Sequence, residues 1–205
     1  MTYIEPFLGG GGVILNKDKS SEEVLNDSDE GLVSAWRALR DEHKTLTMKL
    51  RKTEHTEATF LRHRNKQVSG DYMNAAVSEF VLRHMSRGAN KTSYAPHKSD
   101  EHFLDSFLPR FKDVHERLEG VYILNKDALS ILRAFSHENT LAYCDPPSVE
   151  EMSAEKHMEL SDALKEFKGK VIITFKNSAM YRRLYSDWNR KGIPGRSKES
   201  AWFNF

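Results

Sequence analysis

The chain has 205 residues, 39% of them apolar and 30% charged, which fits one sizeable core carrying an insertion better than two independent domains. No uninterrupted apolar run is long enough to cross a bilayer and no basic-then-apolar leader opens the chain, so a cytoplasmic protein with no membrane partner is expected. The single cysteine, Cys144, excludes an internal disulfide and a zinc site, and a formal net charge of +1 gives no global attraction to nucleic acid.

In chain order, "YIEPFLGGGGVILN" reads as a strand, a tight glycine turn and the start of a helix. "SEEVLNDSDEGLVSAWRALRDEHKTL" gives a short strand at 23–25, a turn at Asn26 and Asp27, and a helix on which Leu32, Val33, Trp36 and Leu39 recur at helical spacing. From 43 to 119 the pattern becomes charged and mostly helical, with an apolar helix at Val77, Phe80 and Val81 followed by a Gly- and Ser-containing loop over 86–93. Strand, turn and helix return in "GVYILNKDALSILRAF". "TLAYCDPP" adds a strand, "SAEKHMELSDALKEF" a helix with Met158, Leu160, Ala163, Leu164 and Phe167 apolar, and "GKVIITF" one more strand. Short apolar strands alternating with helices predict an α/β fold with a parallel sheet covered on both faces. The expected division is 1–42 with 120–205 as the sheet domain and 43–119 as a helical insertion.

In such a sheet, ligands bind outside the carboxyl ends of the strands. The positions there are Glu5 to Gly12, Asn26 and Asp27, Asn125 to Asp127, Asp145 to Ser148, and Phe175 to Asn177. Glycines after the first strand let the backbone turn sharply and approach a cofactor closely, although no Lys-Ser or Lys-Thr follows them as a P-loop requires. On spacing alone a dinucleotide fold with Asp27 on the ribose stays open. Asp27 and Asp127 suit either ribose and adenine contacts or plain helix capping. In "DPP", Pro146 holds Asp145 extended, so a carboxylate and neighbouring carbonyls stand as rigid acceptors for a planar amine; the alternative is a simple strand terminator.

Two basic runs could meet phosphates or form solvated faces. "KLRKTEHTEATFLRHRNKQ" carries Lys49, Arg51, Lys52, Arg62, Arg64 and Lys66, and "FVLRHMSRGANKTSYAPHK" carries Arg83, Arg87, Lys91, Tyr94 and Lys98. The nine histidines form no H-x-x-x-H pair with a helical Glu, so no metal is expected. Trp36, Trp188 and Trp202 read as packing residues.

The ordered string "YIEPFLGGGGV", "LND", "LAYCDPP", "EMSAEKHMELSDALKEFKGKVIIT", "MYRRLYSDW" and "ESAWFN" resembles the N6-adenine DNA methyltransferases of the DNA adenine methyltransferase family, in their phage and prophage branch. "FVLRHMSRGANKTSYA" is similar to a loop of that branch. The resemblance implies a Rossmann-like S-adenosylmethionine-dependent methyltransferase sheet with a mainly helical target-recognition insertion. It implies methyl transfer from S-adenosylmethionine to N6 of an adenine extruded from double-stranded DNA. Glu5, Pro6, Phe7, Gly9, Gly10 and Gly11 would then lie against the cofactor, with Asp27 on its ribose and Asp127 near its adenine. Asp145, Pro146, Pro147 and Ser148 would form the catalytic segment, and Arg83, Arg87, Lys91 and Tyr94 would contact DNA. A monomer is implied, with a restriction endonuclease as partner class.

Two departures from that pattern stand out. The family carries an aromatic residue after Asp-Pro-Pro, whose ring stacks on the extruded base, and a longer loop behind it; this chain has Ser148. Base stacking is worth about 1–3 kcal/mol, so its loss alone predicts weaker target capture by about one to two orders of magnitude. The family also has a basic, glycine-containing segment upstream of the first strand, where this chain has Met1, an arrangement expected of a shortened gene product. Three other readings therefore remain open: a non-catalytic descendant that binds DNA or cofactor, a nicotinamide-dependent oxidoreductase using the same glycine turn, and a methyltransferase acting on another planar amine.

Overall fold

Strand β1 (Thr2–Glu5) lies at the centre of the sheet and buries Tyr3, Ile4 and Glu5, so it reads as a short apolar run rather than an alternating one. The structure is a computed structural model that describes residues 1–65, 71–96 and 104–205, at 196 and 197 by the backbone alone. Lys66 and Lys98 lie outside the described residues.

From β1 the chain moves outward through β2 (Glu22–Asn26) and β3 (Tyr122–Leu124), then crosses back to β4 (Thr140–Cys144) and β5 (Lys170–Lys176) on the other side of β1. These five strands are parallel. Strands β6 (Asn189–Ile193) and β7 (Arg196–Phe203) complete a seven-stranded sheet in the order β3-β2-β1-β4-β5-β7-β6, with β7 antiparallel to both neighbours. The strand order reverses between β1 and β4, and that switch point opens a crevice at the carboxyl edge.

Around the sheet, α5 (Ala128–Ala134), α6 (Ala154–Lys165) and α7 (Ala179–Leu184) contribute to one core with Leu132, Leu160, Leu164, Tyr181 and Trp202. Helix α6 begins on Ser153, whose side chain accepts from the Lys156 N–H. Its buried stripe is His157, Leu160, Ser161 and Leu164, while Met158, expected on the apolar face, is 47% exposed. A histidine thus takes the place that hydrophobicity alone gives to the methionine beside it. After α6 the chain passes so close to the start of β4 that a Cβ on Gly169 would sit 2.3 Å from the Thr140 carbonyl oxygen.

The helix expected directly after the glycine turn is a pair of turns instead, closed by Leu15 N–H to the Gly11 carbonyl and Lys17 N–H to the Val13 carbonyl. Asn16 bonds back to the Gly12 carbonyl at 2.8 Å, a local alternative that competes with helix continuation. Sequence periodicity also gave no sign of α7, β6 and β7.

Residue contacts group Met1–Ser28 with Gly120–Phe205, and Asp29–Glu119 as a second unit. The long helix α1 (Glu30–Arg51) belongs to that second unit, so the division falls at Asp29, whereas 43 lies inside the helix. Near that point α1 is kinked at Glu42, where His115 donates to the Arg40 carbonyl at 2.6 Å and so inserts into the helical ladder. Helices α2 (Glu57–Asn65), α3 (Tyr72–His84) and α4 (Phe111–Leu118) complete the unit, with Trp36, Leu46, Phe60 and Val81 in its core. No helix among the described residues is long and apolar enough to cross a membrane.

Candidate active site at the carboxyl ends of β1 and β4

The turn after β1 is held from below by the turn after β2. Leu8 N–H donates to the Asn26 carbonyl at 2.8 Å, and Gly9 N–H donates to Asp27 Oδ2 at 2.9 Å. Gly9 and Gly11 have φ of 49° and 65°, a left-handed conformation that explains glycine at these two positions. Gly10 and Gly12 need another explanation, since their φ is ordinary and a Cβ on either would meet nothing within 4 Å. Neither backbone strain nor internal packing calls for glycine there, and the bend is left as an open cradle at the carboxyl edge.

Asn26 is the hub of this edge. It is fully buried and donates through Nδ2 to the Pro6 and Lys126 carbonyls, both at 3.0 Å, while its Oδ1 accepts from Lys126 N–H at 2.9 Å. Asn125 adds a bond from Nδ2 to the Asp27 carbonyl at 2.8 Å. One buried amide therefore registers the turns after β1, β2 and β3 against each other.

Beneath the cradle, Glu5 is 1% exposed and accepts from Tyr3 Oη at 2.6 Å and from the Ile14 backbone. Burial pushes its carboxyl up to about 7, against the bonds from Tyr3 and Ile14 and the Lys17 ammonium. Lys17 lies over the Tyr3 ring at 4.3 Å and pairs with Glu23. Pro6 is buried, and Phe7 packs against the core.

Strand β4 ends beside β1, in register Ile4 with Ala142, so Asp145 and Pro146 emerge next to the glycine bend at the same edge. Pro146 is buried whereas Asp145 and Pro147 are exposed, which presents the carboxylate outward from a fixed backbone. Thr174, on the adjacent strand β5, donates from Oγ1 to Asp145 Oδ1 at 2.8 Å and lies 3.1 Å from Tyr143 Oη. Cys144 is wholly buried and its thiol is pushed far up by desolvation, consistent with a packing residue rather than a nucleophile.

Ser148 opens a turn. Its N–H and hydroxyl both bond to Glu151 Oε2 at 3.1 Å, and its carbonyl accepts from Glu151 and Met152 N–H at 2.9 and 2.8 Å. Serine and glutamate thus close the turn on each other, the hydroxyl and the backbone N–H both donating to one carboxylate oxygen. From Asp145 a cavity of about 540 Å³ extends over β5 and β7, lined among others by Thr174, Phe175, Asn177, Tyr181 and Lys198. Asp145 thus stands between the glycine cradle on one side and this cavity on the other.

A family model described as D12 class N6 adenine-specific DNA methyltransferase matches residues 1–194, taking in both the glycine bend and the Asp-Pro-Pro segment. The chain belongs to that family. It is also 30% identical over 158 residues to the DNA N-6-adenine-methyltransferase of Escherichia phage P1. That match covers 70% of this chain and 20% of the phage protein, so the chain spans about a fifth of that relative's length. The sheet, with its five parallel strands and antiparallel β7, is a Rossmann-like methyltransferase fold. Membership in the D12 class sets aside the nicotinamide-dependent reading, which also leaves Asp-Pro-Pro without a role.

The remaining residues expected in the D12 site fall in two places. Asp127 caps α5, accepting from Ser130 N–H at 2.9 Å at the carboxyl edge of β3, so its capping alternative is realised. The cap of α1 is Asp29 instead of Asp27. Arg83, Arg87, Lys91 and Tyr94 lie in the second unit, around a loop closed by a bridge between Ser86 and Tyr94. Lys91 is paired with Asp29 at 2.6 Å and with the buried Glu79 at 2.7 Å, and Arg83 also pairs with Glu79. Tyr94 packs on His55 and Phe60 and donates to the His55 carbonyl at 3.3 Å. Arg87 is exposed, in a loop with positive φ at Gly88, Ala89 and Lys91. Thr174 was not singled out by sequence reasoning, and Asn26 was named as a position past its strand but given no role. The only signal for either is a lone polar side chain where an apolar strand reaches its carboxyl end.

Proposed function

We propose that this chain transfers a methyl group from S-adenosylmethionine to N6 of an adenine extruded from double-stranded DNA. The observation that carries the reading is Asp145, held by Thr174 between the glycine cradle and a cavity large enough for a small ligand. When bound, the cofactor supplies a methyl carbon on a sulfonium, an electrophile that an amine lone pair can attack. The open glycine bend fits such a molecule: Gly9, Gly10 and Gly11 would line it, with Glu5, Pro6 and Phe7 supporting the near wall. Asp27, which already fixes Gly9, would accept from ribose hydroxyls through its remaining lone pairs, and Asp127 would approach the adenine edge.

An adenine amino group is a poor nucleophile because its lone pair is delocalised into the ring. Asp145 and the carbonyls beside Pro146 and Pro147 would accept from its two N–H groups, favouring the geometry in which the lone pair faces the methyl carbon, and the Asp145 carboxylate would take up the proton released. Ser148 would close the segment through its turn with Glu151. Exposed Arg87 would meet phosphates, and Lys91, Arg83 and Tyr94 would shape the loop that carries it. A monomer in the cytoplasm, with a restriction endonuclease of matching specificity as partner class, completes the reading.

A second reading, a D12 protein that binds without turnover, is favoured by one observation: residue 148 carries no ring. Chromatography of nucleosides from DNA treated with the protein and labelled cofactor separates the cases. N6-methyldeoxyadenosine is expected; N4-methyldeoxycytidine would move the acceptor, and no methylated nucleoside would favour the silent descendant.

A further inference from the structure

The helical unit carries a concave surface of its own, a groove of about 490 Å³ between the C-terminal half of α1 and the start of α4, wholly within residues 29–119. Lys44, Met48, Arg51 and Lys52 line it from α1 and its C-terminal cap, and Phe111 and Lys112 from α4. Positions 44, 48, 51 and 52 recur at helical spacing and so form one stripe along the helix. Met48 is 52% exposed, and Lys44, Arg51, Lys52 and Lys112 are all exposed. Among the described residues no carboxylate lines the groove. Lys44, Arg51 and Lys52 make no ion pair there, and Lys112 meets the exposed Glu116 at 3.5 Å, a surface pair of little energetic weight. This sets the groove apart from the loop between Ser86 and Tyr94, where Arg83 and Lys91 are paired with Glu79 and Asp29. It also divides the basic run at 49–66: Arg51 and Lys52 face the groove, whereas Arg64 donates to the Thr92 carbonyl at 3.0 Å.

We propose that this groove grips the sugar-phosphate backbone of duplex DNA through Lys44, Arg51, Lys52 and Lys112, residues other than those of the Arg87 loop; the proposal rests on the reading of DNA as the substrate. Local helix energetics do not account for the cluster. The helix dipole favours a cation in the last turn of α1, which explains Arg51, but it fades before Lys44, about two turns earlier. At Lys112, in the first turn of α4, the dipole opposes a cation. Positive charges converging from two helices without acids between them suit an anion that carries several charges in a row. From Lys44 to Lys52 the stripe runs about 12 Å at about 1.5 Å per residue, the rise of about three to four nucleotides of one DNA strand. A single strand of a duplex therefore offers a phosphate to each cation. Such contacts hold the helical unit on DNA without reading its sequence, which falls to other residues.

The test is fluorescence anisotropy of a labelled mixed-sequence duplex titrated with the full chain between about 50 and 200 mM salt, where each phosphate contact contributes about 0.9 to the slope of log affinity against log salt. Combining Lys44→Gln, Arg51→Gln and Lys52→Gln should lower that slope by about two to three and weaken binding at about 100 mM salt by at least about tenfold. A control with the same loss of charge elsewhere, Lys156→Gln with Lys165→Gln and Lys168→Gln, should keep the parental slope. In methylation assays the groove variant should raise KM for DNA and keep kcat within about twofold of the parent. Parental slope and affinity in the groove variant would overturn the proposal and leave the groove to an acidic protein surface; equal losses in the control would overturn it as well. Should the groove variant not fold, acetylation of lysines in the unaltered protein, with and without duplex, decides. Protection of Lys44, Lys52 and Lys112 by DNA, with Lys156 unprotected, supports the groove, and unchanged labelling rejects it. A parent that binds DNA with the expected slopes but transfers no methyl fails the function proposed above while leaving this inference standing. A parent that methylates DNA while the groove variant matches it defeats this inference alone, and a parent that does not bind DNA defeats both.

Discussion

Two side chains carry most of the local chemistry around Asp145. Thr174 donates a charge-assisted hydrogen bond to the carboxylate, an interaction worth about 1.5–3 kcal/mol. Removing it would free Asp145 to rotate away from the position proposed for the acceptor amine. Thr174→Val should therefore lower the turnover number for DNA methylation by about 10- to 100-fold with cofactor affinity kept, and Thr174→Ser should restore it; steady-state kinetics of both variants check this. Glu5 supplies a pH-dependent test. Its folded pKa of about 7 lies above the ordinary 4.5, so the folded protein binds this proton more tightly than the unfolded chain. The stabilisation linked to it is full below pH 4.5 and is lost as pH rises through 7. Glu5→Gln, which cannot ionise, should gain about 2–3 kcal/mol relative to the parent between pH 5 and pH 8 in denaturant titrations. A difference independent of pH would show that Glu5 is not a buried acid.

Among the elements, the parallel strands were readable as short, mainly apolar segments, "YIE", "EVLN", "TLAYC" and "KVIITF", bounded by turn or helix signals. The hairpin of β6 and β7 was not, because β6 is charged and exposed, and pairing rather than hydrophobic pattern defines it. Pro194-Gly195 between them is the turn signal that could have exposed it. Thr174 became visible only through strand register, since Cys144 pairs with Ile173 and so brings Thr174 beside Asp145. The same closeness of elements makes Gly169 critical. An alanine there would press its Cβ against the carbonyl oxygens of Thr140 and His137, both backbone atoms, at 2.3 and 2.6 Å. Gly169→Ala is expected to destabilise the sheet unit by at least about 2 kcal/mol, read as a lower denaturation midpoint, because α6 and β5 must shift away from β4.

At the scale of the molecule, the sheet unit holds the glycine bend, Asp145 and the cavity beside it, whereas the helical unit holds the loop with Arg87, braced by the Lys91, Glu79 and Asp29 pairs. That brace pairs Arg83 and Lys91 with acids of the same unit. Sequence shows the charge of Lys91 but not its pairing with Asp29, which is distant along the chain; the Arg83 and Glu79 pair, four residues apart on α3, is the local part of the brace. A net charge of only +1 gives no global attraction to DNA, so the proposed binding would rest on local patches.

The central claim is that Asp145 activates an adenine amine beside a methyl donor held by the glycine bend. Its most direct measurement is transfer of labelled methyl from S-adenosylmethionine to mixed-sequence DNA by the parent and by Asp145→Ala, with cofactor binding followed by calorimetry in both. The account predicts label on adenine N6 with the parent, a loss of at least about a thousandfold with the variant, and cofactor affinity changed by less than about tenfold. Equal transfer by the two proteins would contradict it.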